Sequence, residues 1–237
     1  MNEENENNKE ELSSKGIAKD AFTGITEMDS SLPRTILHLF TKPHVVIQTN
    51  LSGDKKTYFN PFKYVIMVVT VNLFLFSLIG FDSEFITKEF SKSFSEYNLE
   101  DILYVDKVAE AMTLVFGKYM IITMMIGIPI CSFASFFAFR SYKISYLKHI
   151  LINAYIYGQF SMIGIVFLPV MYLFIDNYND ISLVYSGIYY SWVFIKLFNG
   201  NRFSLAIKCV LGMLLYVITI FLYGSLIGLP IIIYYLK

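Results

Sequence analysis

The sequence predicts an all-α integral membrane protein, a bundle of five transmembrane helices preceded by a cytoplasmic amphipathic segment. The chain is 55% hydrophobic with a mean hydropathy of +0.53, and only 16% of its residues are charged, whereas average soluble domains contain about 25% charged residues. Its apolar residues are gathered into long blocks, and about 20 apolar residues are needed to cross a bilayer. These observations exclude an ordinary soluble globular protein.

Five blocks pass this length test. In chain order they cover residues 61–81, 118–139, 150–175, 181–198 and 205–236. Asn60 and Pro61 provide a helix cap and a first helical residue for the first block. The fourth block is the shortest, and the fifth contains Pro230, so we expect it to be tilted or kinked.

The distribution of Lys and Arg predicts the orientation of these spans. Basic residues without acids occupy residues 140–149 and 196–208, and residues 82–118 hold eight acids against four lysines. Cytoplasmic loops of membrane proteins carry an excess of Lys and Arg. We therefore expect the N-terminus to lie inside, on the cytoplasmic side, and the C-terminus outside.

Two segments precede the first span. Residues 1–31 are polar and rich in Glu and Asn, which is typical of a disordered tail. Residues 32–60 predict a cytoplasmic interfacial segment of two short helices that begin near Pro33 and Pro43, followed by a turn in LSGDKK. We expect four cations in this segment to meet anionic lipid headgroups, namely Arg34, Lys42, Lys55 and Lys56. Alternatively, the segment packs against the spans and binds no ligand.

Residues 61–237 form the predicted membrane domain, which includes an extracytoplasmic insert at residues 82–117. Apolar residues recur there at helical spacing, which predicts two amphipathic helices on the outer surface. A docking site or lid is the alternative interpretation of this insert.

Intramembrane charge is the usual marker of ion-coupled transport, and no span has a charged residue near its centre. The chain contains neither HExxH nor GxSxG, and the three histidines lack metal-ligand spacing. Cys131 and Cys209 do not form a CxxC pair, so a zinc ribbon is excluded. These features predict a non-enzymatic protein with no catalytic residue, metal or cofactor, and with no nucleic-acid partner.

Uncharged polar residues form stripes on the last two spans. The fourth span carries Tyr185, Tyr189 and Lys196, and the fifth carries Lys208, Tyr216, Thr219 and Tyr223. The stripes could face each other across a polar crevice that admits a lipid headgroup or small solute. Alternatively, these residues serve ordinary helix packing. If Tyr189 and Tyr216 both face packed side chains, the crevice is disfavoured.

The run LPRTILHLFTKPHVVIQTNLSGDKKTYFNPFKYV has a recognisable pattern: Thr41 and Pro43, Gly53 with Lys55 and Lys56, Tyr58, and Asn60-Pro61. It resembles the segment leading into the first span of an uncharacterised family of bacterial multi-pass membrane proteins, a domain of unknown function. LKHILINAYIYGQF resembles the entry to that family's third span, so the resemblance covers about residues 32–175 and implies a bacterial cytoplasmic (inner) membrane. Many members carry an N-terminal cysteine-rich ribbon that this chain lacks. The five-span plan is also similar in topology to Yip-type proteins.

These features favour a non-enzymatic adaptor, assembly factor or membrane-organising component, with membrane lipids and another membrane protein as partners. The alternative is a small permease or lipid-handling protein that uses the crevice between the last two spans.

Overall fold

A computed structural model of the protein describes residues 31–78, 119–173 and 178–235. These residues form seven α-helices and no strand, which establishes an all-helical architecture for them. The helices are α1 (Ser31–Thr41), α2 (Pro43–Leu51), α3 (Pro61–Leu78), α4 (Met120–Ala138), α5 (Tyr146–Leu173), α6 (Tyr178–Leu197) and α7 (Arg202–Tyr235). A short 3₁₀ turn, Arg140–Tyr142, links α4 to α5.

The first three helices begin where their sequences favour it. Pro43 occupies the first turn of α2, where its missing N–H removes no helical hydrogen bond. Asn60 caps α3, because its Oδ1 accepts hydrogen bonds from the backbone N–H groups of Phe62 and Lys63. In the intervening turn, Gly53 has a φ of +99°, a conformation that glycine adopts without steric cost.

Helices α3 to α7 pack as a bundle in which successive helices run in opposite directions. Tyr64 and Asn72 of α3 contact Gln159 and Ser161 of α5 in the same chain order, so these two helices are parallel. Helix α7 is antiparallel to α4, since Gly212 lies beside Ala138, whereas Tyr223 bonds Thr123 of α4. Helix α6 is likewise antiparallel to α7.

The main hydrophobic core joins α1 and α2 to the bundle. Leu39, Val46 and Ile47 are buried in the same cluster as Tyr155 and Phe194. We call α1, α2 and the loop to residue 60 the cap. Because Leu39, Val46 and Ile47 are buried against the bundle, the cap is an integral part of the fold.

Three helices are long and apolar enough to cross a membrane, at Ile121–Ala138, Tyr146–Phe167 and Arg202–Leu226. They correspond to the second, third and fifth predicted spans. Helix α3 offers a shorter apolar stretch, Pro61–Leu75, and α6 lacks such a window because its tyrosines, serines, Asp180 and Lys196 lower its hydropathy. Helix length and composition therefore do not support a count of five spans among the described residues.

Two sequence predictions fall outside the described residues. These are the disordered tail, apart from Ser31, and the helical insert at residues 82–117. Pro230 lies within α7, which extends to Tyr235 as one helix.

Candidate functional site

Hydrogen bonds from the bundle hold the cap in place. The Tyr189 hydroxyl donates to the carbonyl of Leu39, at 3.0 Å, and the Gln48 amide donates to the carbonyl of Leu197. Tyr155 donates to the carbonyl of Phe59 at 2.7 Å. The Leu39 carbonyl belongs to the last turn of α1, where carbonyl groups have no partner within the helix. The Tyr189 hydroxyl of the bundle thus supplies a hydrogen-bond donor for a carbonyl group at the C-terminal end of α1.

The cap turns one face outward. Arg34 and Lys42 are exposed on it, and the side chains of Leu37 and Phe40, 60% and 38% exposed, lie between them. Lys55 and Lys56 are exposed in the following loop. All four predicted headgroup ligands therefore lie on the surface, and exposed apolar side chains accompany two of them.

All Lys and Arg residues in the described part of the chain lie at this end of the bundle. Besides the four above, they are Lys63, Arg140, Lys143, Lys148, Lys196, Arg202 and Lys208. They occupy the first turns of α3 and α5, the first two turns of α7 and the last turn of α6, or the connections beside them. Among described residues the acids are Asp54 and Asp180, and Asp180 is in the first turn of α6, at the opposite end. We call this surface the basic end.

Hydrogen bonds and desolvation shift the pKa values of three groups in the cap. The Thr57 hydroxyl and the backbone N–H groups of Lys56 and Thr57 lower the pKa of Asp54, so its carboxylate stays charged and stabilises the loop. Burial raises the pKa of Tyr58. Its hydroxyl lies 2.7 Å from His38 Nδ1. Desolvation, followed by the charges of Lys42 and Arg34, lowers the pKa of His38. The Nδ1 atom of a neutral His38 ring can accept a hydrogen bond from the Tyr58 hydroxyl.

The predicted stripe on α6 is divided between three environments. Tyr185 is half-buried beside Gly164 of α5. Tyr189 is buried against the cap, and Lys196 is exposed at the basic end. The three residues therefore do not line one continuous surface.

The predicted stripe on α7 mainly contacts α4 and α5. The Tyr216 hydroxyl lies 2.7 Å from that of Tyr157 in α5, and Tyr223 donates to the Thr123 carbonyl in α4. Thr219 bonds the carbonyl of Leu215 in its own helix. Lys208 donates to Ser141 Oγ, and its Nζ lies 4.7 Å from the centre of the Tyr142 ring. Of the predicted crevice residues, Tyr216 alone lines the cavity found between these helices.

This cavity has a volume of about 280 Å³ and is enclosed by α4, α5, α6 and α7. Its polar side chains are Cys131, Ser135, Asn153, Tyr157, Ser186, Tyr190 and Tyr216. The remaining lining residues are apolar or glycine, and none is charged. The cavity is therefore suited to neutral, mainly hydrocarbon groups.

A polar cluster next to the cavity was not predicted from the sequence. Asn153 Nδ2 donates to Ser135 Oγ at 2.8 Å and to the His149 carbonyl, and Ser135 Oγ lies 3.1 Å from His149 Nδ1. The amphipathic period of α5 identifies Asn153, but the sequence does not reveal which face of α4 supplies Ser135. These contacts pair Asn153 Nδ2, Ser135 Oγ and His149 Nδ1, as buried polar groups normally require, whereas His149 Nε2 has no hydrogen-bond partner among the described residues.

The described residues offer little for metal or catalytic chemistry. Within residues 31–78, 119–173 and 178–235, no three His, Cys, Asp or Glu side chains are grouped to hold a metal ion. The Ser135 and His149 pair has a nucleophile-to-base distance of 3.1 Å, but no carboxylate among these residues orients the ring.

The cap and α3 match a described protein family. Residues 29–78 match the family described as "Protein of unknown function (DUF3667)". The match covers α1, α2 and α3 in full and ends where α3 ends. It supports an uncharacterised domain family for this part of the chain. No curated protein and no solved structure gives a significant match.

Proposed function

We propose that the protein is a non-enzymatic component of a bacterial cytoplasmic membrane that organises membrane constituents at its basic end. In this proposal, α3 and α6 cross the bilayer together with α4, α5 and α7, which gives five spans. The N-terminus is cytoplasmic and the C-terminus is outside. Alternation of direction from α3 to α7 supports this path, because five consecutive spans must alternate.

The observation that carries the proposal is the gathering of basic residues at one end of the bundle. Cytoplasmic faces of membrane proteins are enriched in Lys and Arg, and each cation near an anionic leaflet contributes about 1 kcal/mol of attraction. Leu37 and Phe40 add exposed apolar surface beside Arg34 and Lys42. A cap with this composition binds lipid headgroups and offers a docking surface for another membrane protein.

A permease or lipid-handling protein is the second candidate, favoured by the cavity that Tyr216 lines. Tyr189 counts against a polar path along α6, because its hydroxyl is buried on the Leu39 carbonyl. The two tyrosines therefore differ, one facing a cavity and the other a packed interface.

Lipid retention tests the main proposal. The triple variant Lys42→Gln, Lys55→Gln and Lys56→Gln removes three exposed charges from the cap. We expect the ratio of anionic to zwitterionic lipid that copurifies with it to fall by about fivefold per lysine at low salt. Quantitative lipid mass spectrometry of the purified protein measures this ratio.

The matched control is Lys88→Gln, Lys92→Gln and Lys107→Gln, which removes the same charge from the predicted outer segment. This control should leave the ratio unchanged. An unaltered ratio in the cap variant would refute lipid recruitment and favour a cap that only packs against the bundle.

A further inference from the structure

Tyr190 is the cavity residue whose hydrogen bonding the protein leaves incomplete. Its side chain is only 9% exposed, and its hydroxyl has no hydrogen-bond partner in the described part of the chain. The Phe194 ring lies 4.5 Å from the Tyr190 ring, centre to centre, and holds it in place. Buried hydroxyl groups normally have a partner, so an unpaired donor on a residue of the cavity wall points to a missing hydrogen-bond acceptor.

Gly212 of α7 permits the position of this hydroxyl. A Cβ at residue 212 would lie 2.6 Å from the Tyr190 oxygen, closer than packing allows. The other strongly polar lining groups are engaged with each other, since Asn153 bonds Ser135 and Tyr157 bonds Tyr216. Tyr190 is thus the buried lining hydroxyl that has no hydrogen-bond partner among the described residues.

The cavity excludes ions by its composition. None of its lining residues is charged, and most are apolar. A charged headgroup placed here would lose its hydration without gaining a counter-ion, which is strongly unfavourable. A neutral molecule meets no such penalty.

Size and access favour a molecule taken from the membrane. The volume of about 280 Å³ approaches the lower end of small-molecule pockets, about 300 Å³, and exceeds an apolar cavity of about 150 Å³ that binds benzene. Val217 belongs to the lining, and 59% of its side chain is exposed on the outer face of α7. The cavity wall therefore reaches the surface that a membrane-length helix presents to lipid.

We propose that this cavity binds a neutral, lipid-soluble molecule with one carbonyl or hydroxyl oxygen, which accepts a hydrogen bond from Tyr190. The hydrocarbon body of the ligand packs among residues such as Ile156, Phe160 and Met213. This inference goes beyond the proposed function, because it holds whether or not the basic end recruits anionic lipid.

Photolabelling with benzophenone, a neutral aromatic ketone, tests the proposal on the full-length protein in detergent. We expect peptide mass spectrometry to find the label concentrated on cavity residues, including Met213. Decan-1-ol should compete with the label about threefold to tenfold better than decane, because only the alcohol accepts the Tyr190 hydrogen bond.

Three variants test whether the effect depends on the Tyr190 hydroxyl and on the cavity. Tyr190→Phe should abolish the advantage of decan-1-ol over decane, whereas Tyr223→Phe, which removes a hydroxyl outside the cavity, should preserve it. Gly187→Leu fills the cavity beside Met213, which lies 3.5 Å from a Cβ at residue 187, and should abolish cavity labelling.

Two results would overturn the proposal, and both can be obtained with the wild-type protein alone. One is label spread over the exposed face of α7 without enrichment at the cavity. The other is equal competition by decane and decan-1-ol. Loss of the decan-1-ol advantage in Tyr223→Phe equal to that in Tyr190→Phe would likewise remove the assignment to Tyr190.

Discussion

The cap and α7 are stabilised by different interactions. Helices α1 and α2 have 11 and 9 residues, and isolated helices shorter than about 12 residues are marginal in water. They are ordered because Leu39, Val46 and Ile47 are almost completely buried against the bundle. Helix α7 has 34 residues, and only 17% of its Arg202–Leu226 window is buried. Contacts with the bundle stabilise the helical structure of the cap. The helical structure of α7 is stabilised by its own backbone hydrogen bonds and by an apolar environment around its exposed side chains.

Truncating a cap side chain should give the largest effect. Leu39 is fully buried, so Leu39→Ala leaves a cavity and should lower the free energy of unfolding by about 2–5 kcal/mol. Leu214→Ala on α7, where the side chain is 59% exposed, should cost far less. Thermal denaturation in one detergent compares the two variants. Equal losses would show that the two regions are stabilised alike.

The starts of α2 and α3 could be predicted from local sequence. Pro43 and Asn60-Pro61 act within one helical turn, and the structure has α2 and α3 beginning at Pro43 and Pro61. The three long spans were also predictable, because length and hydropathy are local properties. Helix α5 nevertheless begins at Tyr146, four residues before the predicted boundary, since polar residues at its start still form helical hydrogen bonds.

The partners of the polar side chains could not be predicted in the same way. Tyr189 and Tyr216 both occupy polar stripes, but one bonds α1 and the other α5. Helical periodicity tells which residues share a face, and it does not tell which helix that face meets. Ser135 gave no sequence signal, because a lone serine in an apolar helix is compatible with any packing.

Alanine substitutions at two glycines extend this comparison, because each substitution adds a single methyl group. A Cβ at Gly158 would lie 2.5 Å from the Tyr64 ring, which is itself buried and bonded to Gln159. Gly158→Ala should therefore cost about 1–3 kcal/mol of stability. Gly224 of α7 has nothing within 4 Å of its Cβ position, so Gly224→Ala should be neutral or stabilise the helix by up to about 1 kcal/mol.

The midpoint of thermal denaturation for each alanine variant distinguishes these outcomes. A tolerated Gly158→Ala substitution would mean that α3 and α5 separate more easily than their packing indicates. A destabilising Gly224→Ala substitution would instead reveal a partner pressed against that part of α7.

The smallest expected effect is a pH dependence confined to the cap. The pKa of His38 is lowered below 6.5, first by desolvation and then by Lys42 and Arg34. The unfolded chain therefore binds a proton more readily than the folded one. The contribution of His38 to stability is present above a pH of about 6.5 and is lost as the pH falls through its folded pKa.

Trp192, the only tryptophan, provides the measurement. Its ring lies 5.8 Å from that of Tyr189, which bonds the cap. We expect its emission to change between a pH of about 7.5 and about 5.5, and His38→Gln to abolish the change. His44→Gln, which alters another cap histidine, should retain it. A change that persists in His38→Gln would assign the effect to another group.

The hydrogen bonds of the cap also constrain the order of assembly during synthesis. Gln48 bonds a carbonyl 149 residues later in the chain, and the carbonyl of Leu39 bonds a hydroxyl 150 residues later. Both partners belong to α6, so a growing chain cannot form these two hydrogen bonds of the cap until its fourth bundle helix has been made. Closure of the cap therefore marks the moment at which α3, α4, α5 and α6 have all reached their places. A chain stalled before that point would display the apolar side chains of Leu39, Val46 and Ile47 to the quality-control machinery of the cell.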